Sequence, residues 1–298
     1  MKIFDCFMFY DEELLLDIRL GILDKYVDYF VIVESKFFHN GKKRELKFDI
    51  DKFEKFKDKI IYIIHKNEPE GIIKIDDKDG EGIKSYKLIF NAHLRESDQR
   101  NHISKGLTEA KDNDLILISD VDEIPNFNSI DFSKIGNQII IFVQEIFYYK
   151  FNRYLPNFKW FGTKACKKKK LISPQWLRNI KNKKFHFWRI DTFFSKNRYI
   201  DKLFIQNGGW HFSNIKNADD LELKLKSYLH HRDYEEEELG NDKIVELIKK
   251  NETIYDMFGD KKSKKYGDDK RKKLEIYDFK KLPQFIQNNK YKFKDWID

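Results

Sequence analysis

A chain of 298 residues with a net charge of +8 is long enough to bury a substantial core without staples, and its two cysteines, Cys6 and Cys166, lie too far apart to suggest a disulfide framework. Its longest apolar runs are strand-sized, short of the roughly 18 residues that a spanning helix requires. The first residues reach Asp11, Glu12 and Glu13 before any leader-like apolar stretch, so the expectation is a cytoplasmic protein with reduced thiols.

The opening residues 2–9 predict a strand, followed by a helix begun at Asp11, with Glu12 and Glu13 suited to its first turn. Leu16, Leu20, Leu23 and Val27 share one face of that helix. Residues 29–33 predict a second, wholly apolar strand that ends in Glu34 and Ser35, and such a strand implies a sheet covered on both faces. Residues 60–64 predict a third strand, 85–110 a polar helix, and 114–119 a fourth strand running into Asp120-Val121-Asp122-Glu123. The order is that of an α/β fold with a mostly parallel central sheet, in which ligands bind beyond the carboxyl ends of the strands.

From Asn137 the text turns β-rich and aromatic, over 138–149, 160–164, 185–194 and 207–213. Helical patterning resumes at Asn217 with Leu221, Leu225 and Tyr228 on one stripe, and the lysine-rich residues 259–273 predict an exposed loop. No internal repeat or linker is visible. The expected organisation is one domain over residues 1–215 with a C-terminal helical extension, 216–298, packed on it.

The strongest chemical signal is Asp120-Val121-Asp122. Two carboxylates one residue apart, where a buried strand breaks into a loop, can both reach a hard divalent cation that also binds diphosphate oxygens. His211, in Gly208-Gly209-Trp210-His211-Phe212, offers an imidazole as a further metal or phosphate contact, in a glycine context that lets backbone approach a ligand. Glu34 and Ser35 occupy a strand end where a nucleotide base or ribose would bind. Arg95 and Arg100 can neutralise diphosphate, since a guanidinium offers bidentate donors. Trp160 and Trp210 are candidate walls for a sugar or nucleotide. For a general base the sequence offers Glu145, after the apolar run 139–143, and Asp233, near His230 and His231.

The segment Ser119-Asp120-Val121-Asp122-Glu123-Ile124-Pro125 resembles the donor-site signature of glycosyltransferase family 17, the β-1,4-mannosyl-glycoprotein β-1,4-N-acetylglucosaminyltransferase family. Residues 9–20, residues 29–35 followed by Gly41 and Leu46-Lys47-Phe48, and Gly209-Trp210-His211-Phe212-Ser213 resemble further family segments in the same order. The resemblance runs from about Met1 to Ser213 and weakens beyond. It implies a GT-A-like Rossmann-type fold, a nucleotide-sugar donor such as UDP-GlcNAc, dependence on Mn²⁺ or Mg²⁺, and transfer with inversion to a saccharide hydroxyl. It also implies that Asp120 and Asp122 bind the cation and the ribose or diphosphate, Asp122 being the stronger metal candidate, with Glu123 supporting the loop. With no anchoring segment read in the chain, the expected acceptor is a surface polysaccharide rather than an N-glycan.

Two other readings stay open at this point. A metal-dependent nucleotidyltransferase would use the same aspartate pair, although no glycine-rich phosphate loop is present. A non-catalytic basic module could bind an acidic glycan or a membrane surface. The basic runs 167–170 and 261–273 carry no nucleic-acid motif, so no nucleic-acid partner is expected, while contact with the membrane periphery is left open.

Overall fold

The computed structural model describes residues 1–128, 130–184, 195–227, 234–235, 238–255 and 271–298. The chain opens with β1 (Ile3–Phe9), α1 (Glu13–Leu23) and β2 (Tyr29–Ser35), then β3 (Ile60–His65), α2 (Glu81–Asn101) and β4 (Leu115–Asp120). These four strands run parallel in the order β3-β2-β1-β4. Alternate residues of each strand enter opposite cores: Phe7, Ile32 and Leu117 pack with α1 on one face, and Cys6, Val31 and Ile118 pack on the other. That period of two explains why the strands read as unbroken apolar runs. Leu16, Leu20, Leu23 and Val27 are all buried, as their spacing predicts. Both cysteines are buried free thiols.

Beyond β4 the sheet becomes mixed. A three-residue strand, β5 (Glu123–Pro125), follows at once, and the hairpin of β6 (Ile139–Tyr148) and β7 (Arg153–Lys167) inserts β7 antiparallel to β4. The helix α3 (Pro174–Asn179) is capped by the Ser173 hydroxyl. On its far edge, β6 is shared by β8 (Lys202–Ile205) along its first half and β9 (Gly209–Ser213) along its second, both parallel to it. The expected mostly parallel Rossmann-like sheet is thus present at its N-terminal end and curls through antiparallel partners at the other.

The C-terminal part contains α4 (Ala218–Ser227), α5 (Asn241–Lys250), β10 (Glu275–Ile276) and α6 (Gln284–Asn288). It does more than pack as helices, because β10 adds to the edge of β7. Leu282, Ile286 and Phe293 enter the same core as α1. The strand expected over 185–194 lies outside the described residues, as do Tyr228, His230, His231, Asp233 and most of the lysine-rich stretch 259–273.

One short pairing places the functional residues. β5 runs antiparallel to β9 with Glu123 opposite His211, Ile124 opposite Trp210 and Pro125 opposite Gly209. Gly209 has φ +133°, and a Cβ there would lie 2.1 Å from the carbonyl oxygen of Ile124. Only glycine lets the two strands approach this closely. Gly209→Ala should therefore cost about 2 kcal/mol or more of stability, through strain and displacement of β5, read as a lowered urea midpoint.

Candidate active site

The turn between β4 and β5 carries Asp120, Val121 and Asp122, and its backbone is held from below by Arg19 of α1. Arg19 is fully buried and pairs with the equally buried Asp5 through Nε at 2.7 Å and Nη2 at 2.6 Å. Its Nη1 donates to the carbonyl oxygens of Asp120, Val121 and Glu123 at 3.0, 3.2 and 2.8 Å, and Nη2 also reaches the Ser119 hydroxyl. One guanidinium thus satisfies carbonyls that a sharp turn would leave buried and unpaired.

The Asp120 carboxylate is gripped on both sides, by Arg100 at 3.0 Å and by Arg178 of α3 at 2.8 Å. Arg178 also forks onto Glu123 at 2.6 and 2.7 Å, and Glu123 accepts from the Trp160 indole at 2.6 Å and from the Asp120 amide at 3.0 Å. Burial alone would raise the pKa of Asp120; the two arginines override it and hold the carboxyl well below its usual range.

Asp122 is free of arginines. Its Oδ2 stands 3.5 Å from Nε2 of His211, whose ring lies against Trp160 with centroids 4.7 Å apart. Burial pushes the Asp122 carboxyl up and the facing imidazole pulls it down further, for a net fall. The Nδ1 of His211 is buried with no partner among the described residues. A carboxylate oxygen and an imidazole nitrogen turned toward one point, inside a cavity, suit a divalent cation that takes its remaining ligands from phosphate oxygens and water.

The cavity over this centre has a volume of about 500 Å³, within the range of small-molecule sites. Its lining includes Tyr10, Phe37, Phe38, His39, Arg44 and Gln99. Among these the Arg44 guanidinium stacks 4.3 Å from the Tyr10 ring and the His39 Nε2 lies 3.2 Å from Gln99 Oε1. Glu12, Asn214, Lys224, Leu225 and Tyr255 line it as well. The segment from β9 into α4 contributes to this wall and is fastened by a 2.6 Å ion pair between Lys216 and Asp11.

The model of glycosyltransferase family 17 matches residues 1–297. The chain belongs to glycosyltransferase family 17. Family membership therefore extends through the C-terminal part, where the sequence resemblance had faded, and makes the chain a glycosyltransferase with a donor and an acceptor substrate. No curated protein matches it.

The candidate site gathers Asp120, Asp122, His211, Arg100 and Trp160, though Arg100 acts from beneath, on Asp120. Other sequence-derived candidates stand elsewhere. Glu34 is fully buried and spends both oxygens on Arg44, the Lys47 and Phe48 amides and the Tyr62 hydroxyl, so it braces the loop after β2 and does not reach the cavity. Ser35 faces His65 at 2.9 Å. Arg95 is paired with Glu68. Trp210 belongs to the core between β5 and β6. Glu145 pairs with Lys159 and does not line the cavity; Asp233 lies outside the described residues. A separate group, His65, Asp98 and His102, brings three ligand atoms within 4.8 Å of one another and could hold an ion, but it does not line the cavity. His65 Nε2 stands there at hydrogen-bond distance, 2.7 Å, from Asp98 Oδ2.

Arg178, Glu12 and Lys224 were not singled out as site residues from the sequence. Glu12 was read as a helix-start acid, and nothing around Arg178 distinguishes it from a surface arginine. Arg19 did carry a signal, a lone cation inside the apolar run Leu14-Leu15-Leu16-Asp17-Ile18-Arg19-Leu20. Because Arg19→Met leaves Asp5 buried without its partner, it should destabilise the fold by about 3–5 kcal/mol, measured by urea unfolding.

Proposed function

We propose that this enzyme is a cation-dependent, inverting glycosyltransferase that takes a sugar from a uridine diphosphate donor, with UDP-GlcNAc the first to test, and delivers it to a saccharide hydroxyl. The observation that carries the reading is the pair Asp122 and His211 at 3.5 Å, set in the cavity beside an Asp120 that two arginines hold in place. Mn²⁺ or Mg²⁺ bound by this pair would supply a Lewis acid beside the departing diphosphate. The aromatic lining with Tyr10, Phe38, His39 and Gln99 suits a nucleoside, combining ring faces with an imidazole and amide edge. Family membership sets aside the two other readings, a nucleotidyltransferase and a non-catalytic module.

In this reading the base is Glu12, preferred to Glu145, which pairs with Lys159 and does not line the cavity; Asp233 lies outside the described residues. Its Oε2 is fixed by the Tyr10 and Asp11 amides at 3.1 and 3.2 Å, and among the described residues nothing donates to Oε1. Burial, then the neighbouring Asp11, push its pKa up, against the opposing pull of Lys216 and Lys224. The acceptor's hydroxyl proton passes to Glu12 while its oxygen bonds the anomeric carbon. The bond from that carbon to the diphosphate breaks on the opposite face, its electron pair leaving with the nucleotide.

Titration calorimetry of UDP-GlcNAc should give binding that requires Mn²⁺ in the native protein and loses that requirement, with most of its affinity, in Asp122→Ala. No binding of any sugar nucleotide by the native protein would overturn the proposal. A base must be ionised to act, so a raised pKa makes activity fall on acidification from above the ordinary glutamate value of about 4.3. The slow hydrolysis of UDP-GlcNAc, with water as acceptor, should show that acid limb; Glu12→Gln should abolish it and lower the rate about 10²- to 10⁴-fold while donor binding persists.

A further inference from the structure

Two donors of the cavity wall, the Lys224 ammonium and the Asn214 amide nitrogen, meet no hydrogen-bond acceptor among the described residues. Lys224, on the face of α4 turned to the cavity, makes no hydrogen bond or ion pair among the described residues, although Lys216 and Lys226 of the same segment are both paired. Asn214 is 4 % exposed and lines the same cavity. Tyr255 engages its side chain, yet its Nδ2 is buried without an acceptor among the described residues. A buried amide donor without a partner is costly, and a ligand that brings an acceptor to it removes that cost.

The fold brings both to one cavity wall. Asn214 sits in the left-handed region, φ 57°, directly after β9, and turns the chain so that α4 returns over the Asp122 turn. The Lys216 pair with Asp11 and the burial of Leu221 and Leu225 keep α4 seated there. The field of Lys224 reaches both Asp122 and Glu12.

We propose that Lys224 and Asn214 form the anion half of the donor site, binding the diphosphate in the cavity that Asp122 and His211 also line. The assignment rests on the nucleotide-sugar reading above. It gives α4 a role in the reaction: as the bond from the anomeric carbon to the diphosphate breaks, the electron pair remains on a phosphate oxygen, and Lys224 faces that charge while the acceptor's proton goes to Glu12.

The test is titration calorimetry with UDP and with uridine, both with Mn²⁺, on the native protein, Lys224→Met, Lys224→Arg and Asn214→Ala. Lys224→Met should weaken UDP about tenfold or more, leave uridine within about threefold, and be largely rescued in Lys224→Arg. Asn214→Ala should show the same preference for the diphosphate with a smaller loss. Unchanged UDP affinity in Lys224→Met, or equal losses for UDP and uridine, would overturn the assignment while leaving the donor reading intact. Failure of the native protein to bind either compound would take both down.

Discussion

The guanidinium of Arg19 is the constraint on which the active site depends. A strand that breaks at Asp120 and restarts at Glu123 must bury several carbonyl oxygens with no strand partner, and Arg19 caps three of them while its own charge is met by Asp5. A buried ion pair of this kind is weak evidence for stability in itself, since an apolar pair of equal volume can do as well. Its worth here is geometric. An apolar replacement could fill the space but could not hold the turn that aims Asp122 at His211.

From this clamp the construction proceeds outward in two layers. The first is the buried network of Arg100, Asp120, Arg178 and Glu123, which fixes a carboxylate facing the cavity and orients the Trp160 indole through Glu123. The second is the antiparallel contact of β5 with β9, whose register sets Glu123 opposite His211, with the Phe212 amide donating to the Asp122 carbonyl at 2.9 Å. Both layers are non-local, joining residues separated by some 20 to 90 positions, so neither follows from local propensity.

That division explains how much was legible in the sequence. The strands β1 to β4, the apolar face of α1 and the Asp-x-Asp turn were all readable, because each is written in a period or in adjacent residues. Family membership could be seen in the same local segments. Glu34 shows the opposite case: its place at a strand end suggested ligand contact, but the loop that folds back over it brings the Lys47 and Phe48 amides to its carboxylate, and no local pattern announces that return. Arg178 was invisible for a similar reason, since only the packing of α3 beneath β4 and β7 makes it a neighbour of Asp120. The antiparallel insertion of β7 was likewise hidden, because an apolar strand reads the same in either direction.

The charges beneath the cavity do not cancel. Arg100 and Arg178 serve three carboxylates, those of Glu96, Asp120 and Glu123, and Asp122 stands outside the count. An anionic ligand entering alone therefore meets a floor with surplus negative charge, whereas one accompanied by a divalent cation meets a floor that attracts its companion. In the proposed cation-dependent reaction, occupancy by the two is coupled and the coupling is reciprocal: whatever factor the cation adds to nucleotide affinity, the nucleotide adds to cation affinity.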